Sequence, residues 1–277
     1  MARSRSSPET TGGNRYGQLL LHIFRAHYRR GIVSFEFDRS EIRDAALTLG
    51  IVLPHNVGDV IYSFRHRTPL PSAILDTAPS NQEWVIEGAG RSRYRMSLQR
   101  ISRIRPSESL APIKLPDATP EIVARFALGD EQALLAKIRY NRLIDIFLRV
   151  TAYSLQNHLR TTVPDIGQIE TDEVYVAVNN VGNQFVIPVQ AKGGTDQIGI
   201  VQLRQDFALC RQTYPDLTPR PVAVQFMREA SGSETIVMFA LTEIDGDIRA
   251  LDEKHYRLVP ANEITADDLI VARLAPV

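Results

Sequence analysis

Residues 167–194, GQIETDEVYVAVNNVGNQFVIPVQAKGG, carry acidic, amide and amine groups on two adjacent strand-like runs. Asp172 or Glu173 stands at the start of the first run, and Gln190 and Lys192 lie two residues apart at the end of the second. Because side chains alternate across a strand, Gln190 and Lys192 share one face. If the first run presents its acid to that face, the three groups converge.

Such a set has the composition of a hydrolytic metal site. The carboxylate of Asp172 or Glu173 and the amide oxygen of Gln190 are ligands that suit a hard cation such as Mg²⁺. The ammonium group of Lys192 would orient the attacking water or help to deprotonate it. The metal and the lysine would stabilise the charge that accumulates during phosphodiester cleavage. The spacing therefore predicts metal-dependent hydrolysis of phosphodiesters.

The order acid, strand, turn, apolar strand, Gln190-Ala191-Lys192 resembles the PD-(D/E)xK nuclease superfamily, in the QxK variant of Mrr-like restriction nucleases. The wider run, from ATPEIVARFALGDEQALLAKIRYNRLIDIF through YSLQNHLRT to VQAKGG, is similar to bacterial restriction-type endonucleases with an N-terminal DNA-binding region. The similarity spans most of residues 15–230. It implies Mg²⁺-dependent cleavage of double-stranded DNA, typically by a homodimer. It places the first metal ligand at Asp172, with Glu170 and Glu173 sharing or tuning the catalytic site.

Composition limits the class of protein. With 277 residues, 44% of them hydrophobic, the chain is long enough for two domains. Its single cysteine, Cys210, excludes an internal disulfide framework and a cysteine-based zinc cluster. No apolar run approaches the roughly 18 residues of a membrane span. We therefore expect a cytoplasmic protein that does not interact with membranes.

Charge is distributed unevenly along the chain. Residues 1–105 contain 16 arginines, no lysine and 9 acidic residues, whereas the remainder is acidic, so that the whole chain has no net charge. Guanidinium groups bind phosphates and guanine edges at two points. The asymmetry indicates a nucleic-acid surface in the first third of the chain.

The first third is patterned as three helices and a hairpin. Residues 15–30, 35–50 and 56–67 have helical apolar spacing, and residues 83–98 alternate around a Gly-Ala-Gly turn. This order predicts a winged helix-turn-helix domain over 15–105, after a disordered lead at 1–14. The third helix would enter the major groove. The alternative is a small structural domain with a solvated arginine face.

Two sets of side chains in this domain are candidates for DNA contact. Asn56 is a candidate cap of the third helix, and Ser63, Arg65 and Arg67 are expected to face outward. On the hairpin, period-two spacing places three arginines on one face, opposite Tyr94 and Met96. These arginines are Arg91, Arg93 and Arg95.

The rest of the chain predicts a second domain. Four prolines in residues 106–120 indicate a linker. Residues 129–160 have the apolar spacing of a long helix. Gln156 and Arg160, one turn apart on it, would contact the DNA backbone or form a solvated face. Strands at 174–178, 185–192, 221–226 and 235–241 and a helix at 197–212 follow. The sequence thus predicts an α/β fold with a restriction-endonuclease-like, mixed-sheet domain over 121–277.

Other functions share parts of this pattern. A nuclease fold that has lost activity would be a DNA-binding regulator that does not cleave. A structure-selective repair nuclease would share the metal site but would not cut linear duplex. We expect a sequence-specific, restriction-type endonuclease that acts in defence against foreign DNA.

Overall fold

The structure is a computed structural model. It describes residues 11–66, 68–80, 82–100, 104–126, 131–164, 166–193, 198–228, 232–244 and 247–274, without the side chains of 11–14, 66, 100, 131 and 271–274. The predicted disordered lead therefore lies largely outside the described residues. Among the helices described, none has both the length and the apolar character needed to cross a membrane.

The chain divides into two compact units. The first comprises Met1–Ile101 and Thr162–Gln168, and the second comprises Ser102–Thr161 and Ile169–Val277. The division near residue 101 lies close to the end of the predicted winged-helix domain at 105. The predicted linker at 106–120 belongs to the second unit.

The first unit combines helices with a small antiparallel sheet. Its strands pair in the order β1-β3-β2. The predicted helices and hairpin are present, and β1 is a strand that the sequence analysis had assigned to the start of the second helix. In chain order the elements are α1 (Thr11–His27), β1 (Ser34–Asp38), α2 (Arg39–Leu49), α3 (Gly58–His66), α4 (Ser72–Leu75), β2 (Gln82–Gly88) and β3 (Arg93–Arg100).

Local sequence signals define α2. The backbone nitrogen of Asp38 donates a hydrogen bond of 2.8 Å to the Glu41 carboxylate, which is a capping-box contact. Gly50 ends the helix with a φ of 65°, a left-handed conformation that glycine adopts without strain. The core face of α2 joins a cluster built around the rings of Phe24 and Trp84, which meet edge to face. This face consists of Ile42, Ala45 and Ala46.

The second unit is built on one mixed sheet. The strand order is β4-β11-β10-β9-β7-β6-β5, and the short β8 pairs with β7. The pairs β4–β11 and β7–β9 are parallel, whereas β6–β7, β9–β10 and β10–β11 are antiparallel. In chain order the elements are β4 (Ile113–Pro116), α5 (Glu121–Phe126), α6 (Glu131–Tyr140), α7 (Leu143–Leu148), β5 (Thr151–Val163), β6 (Gly167–Val178), β7 (Gln184–Gly193), α8 (Ile200–Thr213), β8 (Thr218–Pro219), β9 (Val222–Arg228), β10 (Glu234–Ile244), β11 (Asp247–Val259) and α9 (Ala266–Leu274).

The predicted helix at 129–160 is wrong in its second half. Helix α7 ends at Leu148 because Arg149 adopts a left-handed conformation with a φ of 54°. Residues 151–163 then form β5, an edge strand beside β6. Leu155 and Leu159 have helical spacing, but the β-branched residues around them favour a strand, and pairing with β6 overrides the local pattern.

Two further strands were not expected. Within the predicted linker, Ile113–Pro116 forms β4, which pairs with β11, so this part of the linker belongs to the sheet. Strand β11, from Asp247 to Val259, was not identified in the sequence because many of its side chains are exposed and polar.

Helices cover the two faces of the sheet around β7. On one face, Ile138 of α6 and Ile144 of α7 share an apolar core with Val189 and Ala191 of β7. Strand alternation turns Gln190 and Lys192 to the other face. Helix α8, which connects the parallel strands β7 and β9, packs on that second face.

Gly88 tests the packing of the first unit. A Cβ atom at this position would collide with the carbonyl oxygen of Ile166, and only backbone movement would relieve the collision. We expect Gly88→Ala to lower the free energy of unfolding by about 1–3 kcal/mol, as overpacking does. Thermal and chemical denaturation of the full chain would measure the change.

Gly17→Ala is the matched control. This position lies in α1 and has only an ordinary contact, 3.4 Å from Pro71. Alanine favours a helix over glycine, so stability should be unchanged or slightly higher. Equal stability of Gly88→Ala and the parent protein would contradict the packing described.

Candidate functional site

The pairing of β6 with β7 fixes which residues share a face. Glu173 lies opposite Val189 and Val174 lies opposite Pro188 in an antiparallel register. Glu173 therefore lies on the Val189 face, toward α6 and α7, and the neighbouring Asp172 projects from the opposite side of β6. The two adjacent acids of the sequence thus belong to different surroundings.

Gln190 joins a buried polar cluster beneath α8. It is 1% exposed, and its amide nitrogen donates to the carboxylate of Asp206 and to the backbone oxygen of Glu170, each at 3.2 Å. The hydroxyl of Thr171 donates to the same Asp206 oxygen at 2.7 Å. We call Asp172, Gln190, Lys192, Asp206 and Thr171 the Asp206 cluster.

Asp172 and Lys192 complete this cluster. Asp172 is 9% exposed, and its carboxylate accepts a hydrogen bond of 2.8 Å from the backbone nitrogen of Ala191, between Gln190 and Lys192. Lys192 is half-buried and pairs in register with Gln225 of β9. Asp172 thus meets β7 between the two side chains that the sequence analysis had joined with it.

Asp206 is held in an unusual protonation state. Burial raises its pKa, hydrogen bonds from Thr171 and Gln190 lower it, and repulsion from Asp172 raises it further, to about 8. With this pKa, the Asp206 carboxyl is mostly protonated at neutral pH. A positive charge placed beside Asp172 and Asp206 would favour the ionised carboxylate.

Two oxygen atoms of the Asp206 cluster have no partner among the described residues. They are Oε1 of Gln190 and Oδ2 of Asp206, and both are buried. A buried polar atom without a hydrogen bond is costly, which makes such atoms candidate contacts for a ligand. Carboxylate and amide oxygens are the donors that Mg²⁺ takes, so the donor set fits this ion.

The cluster contains fewer acids than a metal site made only of carboxylates. Within the described ranges, no group of three or more His, Cys, Asp or Glu side chains is arranged to hold a metal ion. A cation at this point would use Asp172, Asp206 and the neutral Gln190. Such a site binds Mg²⁺ more weakly than one with three carboxylates.

Glu173 has a different environment from the other candidates. Its side chain is fully buried, and its Oε1 atom accepts hydrogen bonds from Arg139 at 3.0 Å and from Ser154 at 2.6 Å. Arg139 also donates to Asn157 at 3.0 Å. The β6–β7 register thus separates Glu173 from Gln190 and Lys192, with which the sequence analysis had grouped it.

Glu170 lies between the Asp206 cluster and the edge strand. Its backbone oxygen accepts from Gln190, while its carboxylate accepts from Arg160 of β5 at 3.0 Å. His158 lies 3.9 Å from the same carboxylate. The Glu170 side chain is thus engaged by β5 rather than by Asp206.

The hairpin of the first unit carries the predicted arginine face. Tyr94 and Met96 are buried, as the alternation predicted, while Arg93 and Arg95 are exposed. Both arginines approach Glu36 of β1, which lies 2.6 Å from Arg95 and 3.6 Å from Arg93. The hydrogen bond and the charge of Arg95, with Arg93, lower the pKa of Glu36. Arg91, in the turn before β3, is exposed.

The α3 candidates are less uniformly exposed than predicted. Asn56 is exposed and accepts a hydrogen bond of 3.1 Å from the nitrogen of Gly58, as a capping residue does. The Ser63 hydroxyl is 3.0 Å from that of Thr68. Arg65 is partly buried, and burial lowers its pKa despite the nearby Glu87. Arg67 lies outside the described residues.

Gln156 and Arg160 are exposed but are not on a helix. Both lie on β5, and His158 between them has a φ of 48°, which interrupts the regular alternation of the strand. Arg160 is paired with Glu170, so its charge is partly neutralised. The helical spacing that linked the two side chains was wrong, whereas their exposure agrees with the prediction.

Asp206 and Thr171 were not named as site residues from the sequence. Asp206 lies between Leu203 and Cys210, both of which are fully buried apolar positions on α8. An acid at the core-facing spacing of an amphipathic helix is the signal that would have identified it. Thr171 offered no such signal, since threonine is common in strands.

Comparisons with protein-family models, with characterised proteins and with solved structures find no match to this chain.

The raised pKa of Asp206 makes stability depend on pH. The folded chain binds a proton at this carboxyl more tightly than the unfolded chain, whose value is 3.8. The stability that Asp206 contributes is therefore complete below pH 3.8 and is lost as the pH rises through about 8. In Asp206→Asn, which keeps the shape without the charge, this loss should disappear.

We expect Asp206→Asn to be more stable than the parent protein above pH 8 without divalent cations. The gain should be on the order of 1 kcal/mol or more, since one pKa unit corresponds to roughly that free energy. Chemical denaturation at several pH values in a chelating buffer would measure it. Asp216→Asn, at an exposed position after α8, is the control and should change little. A less stable Asp206→Asn protein above pH 8 would contradict the assignment.

Proposed function

We propose that this chain is a Mg²⁺-dependent endonuclease that hydrolyses phosphodiester bonds of double-stranded DNA, in the manner of a restriction enzyme. The second unit would cut, and the first would bind DNA as a winged helix-turn-helix domain. The proposal adds Asp206 to the predicted residues and gives Glu173 a structural role.

The convergence of the Asp206 cluster is the observation that carries this proposal. Asp172 reaches the backbone of β7 between Gln190 and Lys192, and Gln190 is hydrogen-bonded to Asp206. Two buried oxygen atoms of Gln190 and Asp206 have no partner among the described residues. Polar atoms of this kind, on the face of β7 that also carries Lys192, support a cation site near a general base or water-orienting group.

Each residue of the cluster has a distinct role in the proposal. Asp172, Gln190 and Asp206 would hold Mg²⁺, with Thr171 fixing the Asp206 carboxylate. Bound Mg²⁺ would supply charge stabilisation for the scissile phosphate and acidify its water. Lys192 would orient the attacking water and donate hydrogen bonds to the phosphate oxygens as negative charge develops.

The first unit would provide most of the affinity for DNA. Its exposed arginines would contact phosphates, which gives binding that weakens steeply with salt. Helix α3 would lie in the major groove, with Asn56 and Ser63 near base edges. Because Arg93 and Arg95 share Glu36, phosphates would compete with that carboxylate.

Lys192→Ala tests the cutting role. We expect cleavage of plasmid or phage DNA to fall at least about 100-fold, as when a transition-state contact is removed. Affinity for DNA in a chelating buffer should remain nearly unchanged. Lys254→Ala, at a lysine on β11 that lies 3.6 Å from Asp252, is the matched control. Equal cleavage by Lys192→Ala and the parent would reject the assignment.

Arg93→Gln combined with Arg95→Gln tests the binding role. Each lost phosphate contact should reduce the slope of log affinity against log salt by about 0.9. Gel-shift titrations of the full chain at several salt concentrations, in a chelating buffer, would measure the slope. Arg228→Gln, at an exposed arginine of β9, should leave it unchanged. An unaltered slope in the double variant would exclude the hairpin from the DNA interface.

A DNA-binding protein that does not cleave is the second candidate. Gln190 is neutral, and Glu173 is hydrogen-bonded to Arg139 on the other face of the sheet. Few carboxylates therefore lie near Lys192. Such a protein would shift DNA on a gel and leave it intact with or without Mg²⁺. Discrete fragments that require Mg²⁺ would exclude it and would also disfavour a structure-selective repair nuclease.

A further inference from the structure

A second polar site lies on the α6–α7 face of the sheet, opposite Gln190 and Lys192. An open cavity of about 290 Å³ is bounded by α6, α7, β5 and the buried Tyr175 of β6. Small-molecule pockets range from roughly 300 to 1,000 Å³, so this one is at the lower limit. Its size suits one nucleobase, and because the cavity is open, groups attached to the base can extend toward the exposed Arg142.

Two guanidinium groups at the cavity are held in defined positions. Arg139 is fixed by Glu173 and Asn157, and Arg142 is fixed by Asp145. A guanidinium group has more N–H donors than these contacts use among the described residues. Since the Arg142 side chain is 60% exposed, it can donate to an incoming anion.

The floor of the cavity contains a buried hydroxyl. Tyr175 is 4% exposed, and its hydroxyl lies close to Glu173 and Arg139 but forms no hydrogen bond of good geometry among the described residues. The Oε2 atom of Glu173, whose other oxygen is bound by Arg139 and Ser154 of the cavity wall, is likewise buried without a partner. Of these two residues only Tyr175 lines the cavity, and a polar ligand edge would give its hydroxyl a well-formed hydrogen bond.

The remaining wall is suited to a flat ring. Tyr153 is 60% exposed and lines the cavity, whose other side is formed by the apolar side chains of Ile138 and Ile144. An exposed tyrosine next to arginines is a surface on which nucleobases stack. The cavity thus offers a stacking wall, a polar floor and a cationic rim.

We infer that this cavity binds a single nucleotide unit. The base stacks on Tyr153, its polar edge meets the Tyr175 hydroxyl and Arg139, and its phosphate is contacted by Arg142. The same chemistry has two sources, which are a free mononucleotide and a nucleotide turned out of a DNA strand. The inference goes beyond the proposed nuclease activity, because the cavity shares no side chain with the Asp206 cluster.

Binding measurements on the full chain test this inference. Free deoxynucleoside 5′-monophosphates would be titrated calorimetrically, and duplexes containing 2-aminopurine would report an unstacked base by increased fluorescence. We expect at least a 10-fold loss of binding or of the fluorescence increase in Tyr153→Ala and in Tyr175→Phe. Tyr140→Ala, which removes an exposed tyrosine of α6 outside the cavity, is the matched control.

The two sources give different results. Calorimetric binding of free mononucleotides identifies a small-molecule site, and a fluorescence increase without such binding identifies a base within DNA. Tyr175→Phe should melt close to the temperature of the parent, because it removes a hydroxyl that has no hydrogen bond of good geometry. Should Tyr175→Phe fail to fold, Tyr153→Ala alone decides. Absence of both signals in the parent, or parent-like signals in both variants, would overturn the inference.

Discussion

The pleat of β6, in register with β7, is the constraint on which both polar sites depend. Glu173 belongs to the regular ladder, whereas Thr171 and Asp172 precede its first pair and both reach the side of Gln190 and Asp206, so Asp172 and Glu173 do not serve the same site. The pairing of Glu173 with Val189 turns Glu173 toward α6 and α7. Asp172 and Gln190 are left on the side that α8 covers. A shift of one residue in this register would exchange the faces on which Asp172 and Glu173 lie, and it would disrupt the apolar packing on both sides of the sheet.

The two buried acids illustrate how surroundings decide a role. Glu173 is matched by the guanidinium group of Arg139, which compensates for the burial of its carboxylate. Asp206 has only neutral donors nearby, and burial, with the like charge of Asp172, raises its pKa to about 8. The first arrangement ties β6 to α6. The second places a carboxyl group where a cation would be accommodated, and this difference separates a structural acid from a candidate ligand.

Much of the architecture follows from local sequence rules. Alternation predicted the strands β6, β7, β9 and β10, and a capping box with a terminal glycine predicted α2. Strand β5 was missed because Leu155 and Leu159 imitate a helix, and only pairing with β6 decides between the two. The same spacing rules placed Gln190 and Lys192 together. They left open which acid joins them, because the register between two strands depends on tertiary packing.

The central claim is that Asp172 lies on the metal-binding face of the sheet and Glu173 on the opposite face. The most direct test compares Asp172→Asn with Glu173→Gln by thermal denaturation with and without Mg²⁺ at a pH above 8. Binding of Mg²⁺ to the folded state alone raises its stability. We expect Mg²⁺ to stabilise the parent protein and Glu173→Gln but not Asp172→Asn. Without the ion, Glu173→Gln should be the less stable of the two variants, because its contact with Arg139 is weakened. A Mg²⁺ effect that is absent from the parent, or that is lost in Glu173→Gln and kept in Asp172→Asn, would contradict the assignment of the metal-binding face.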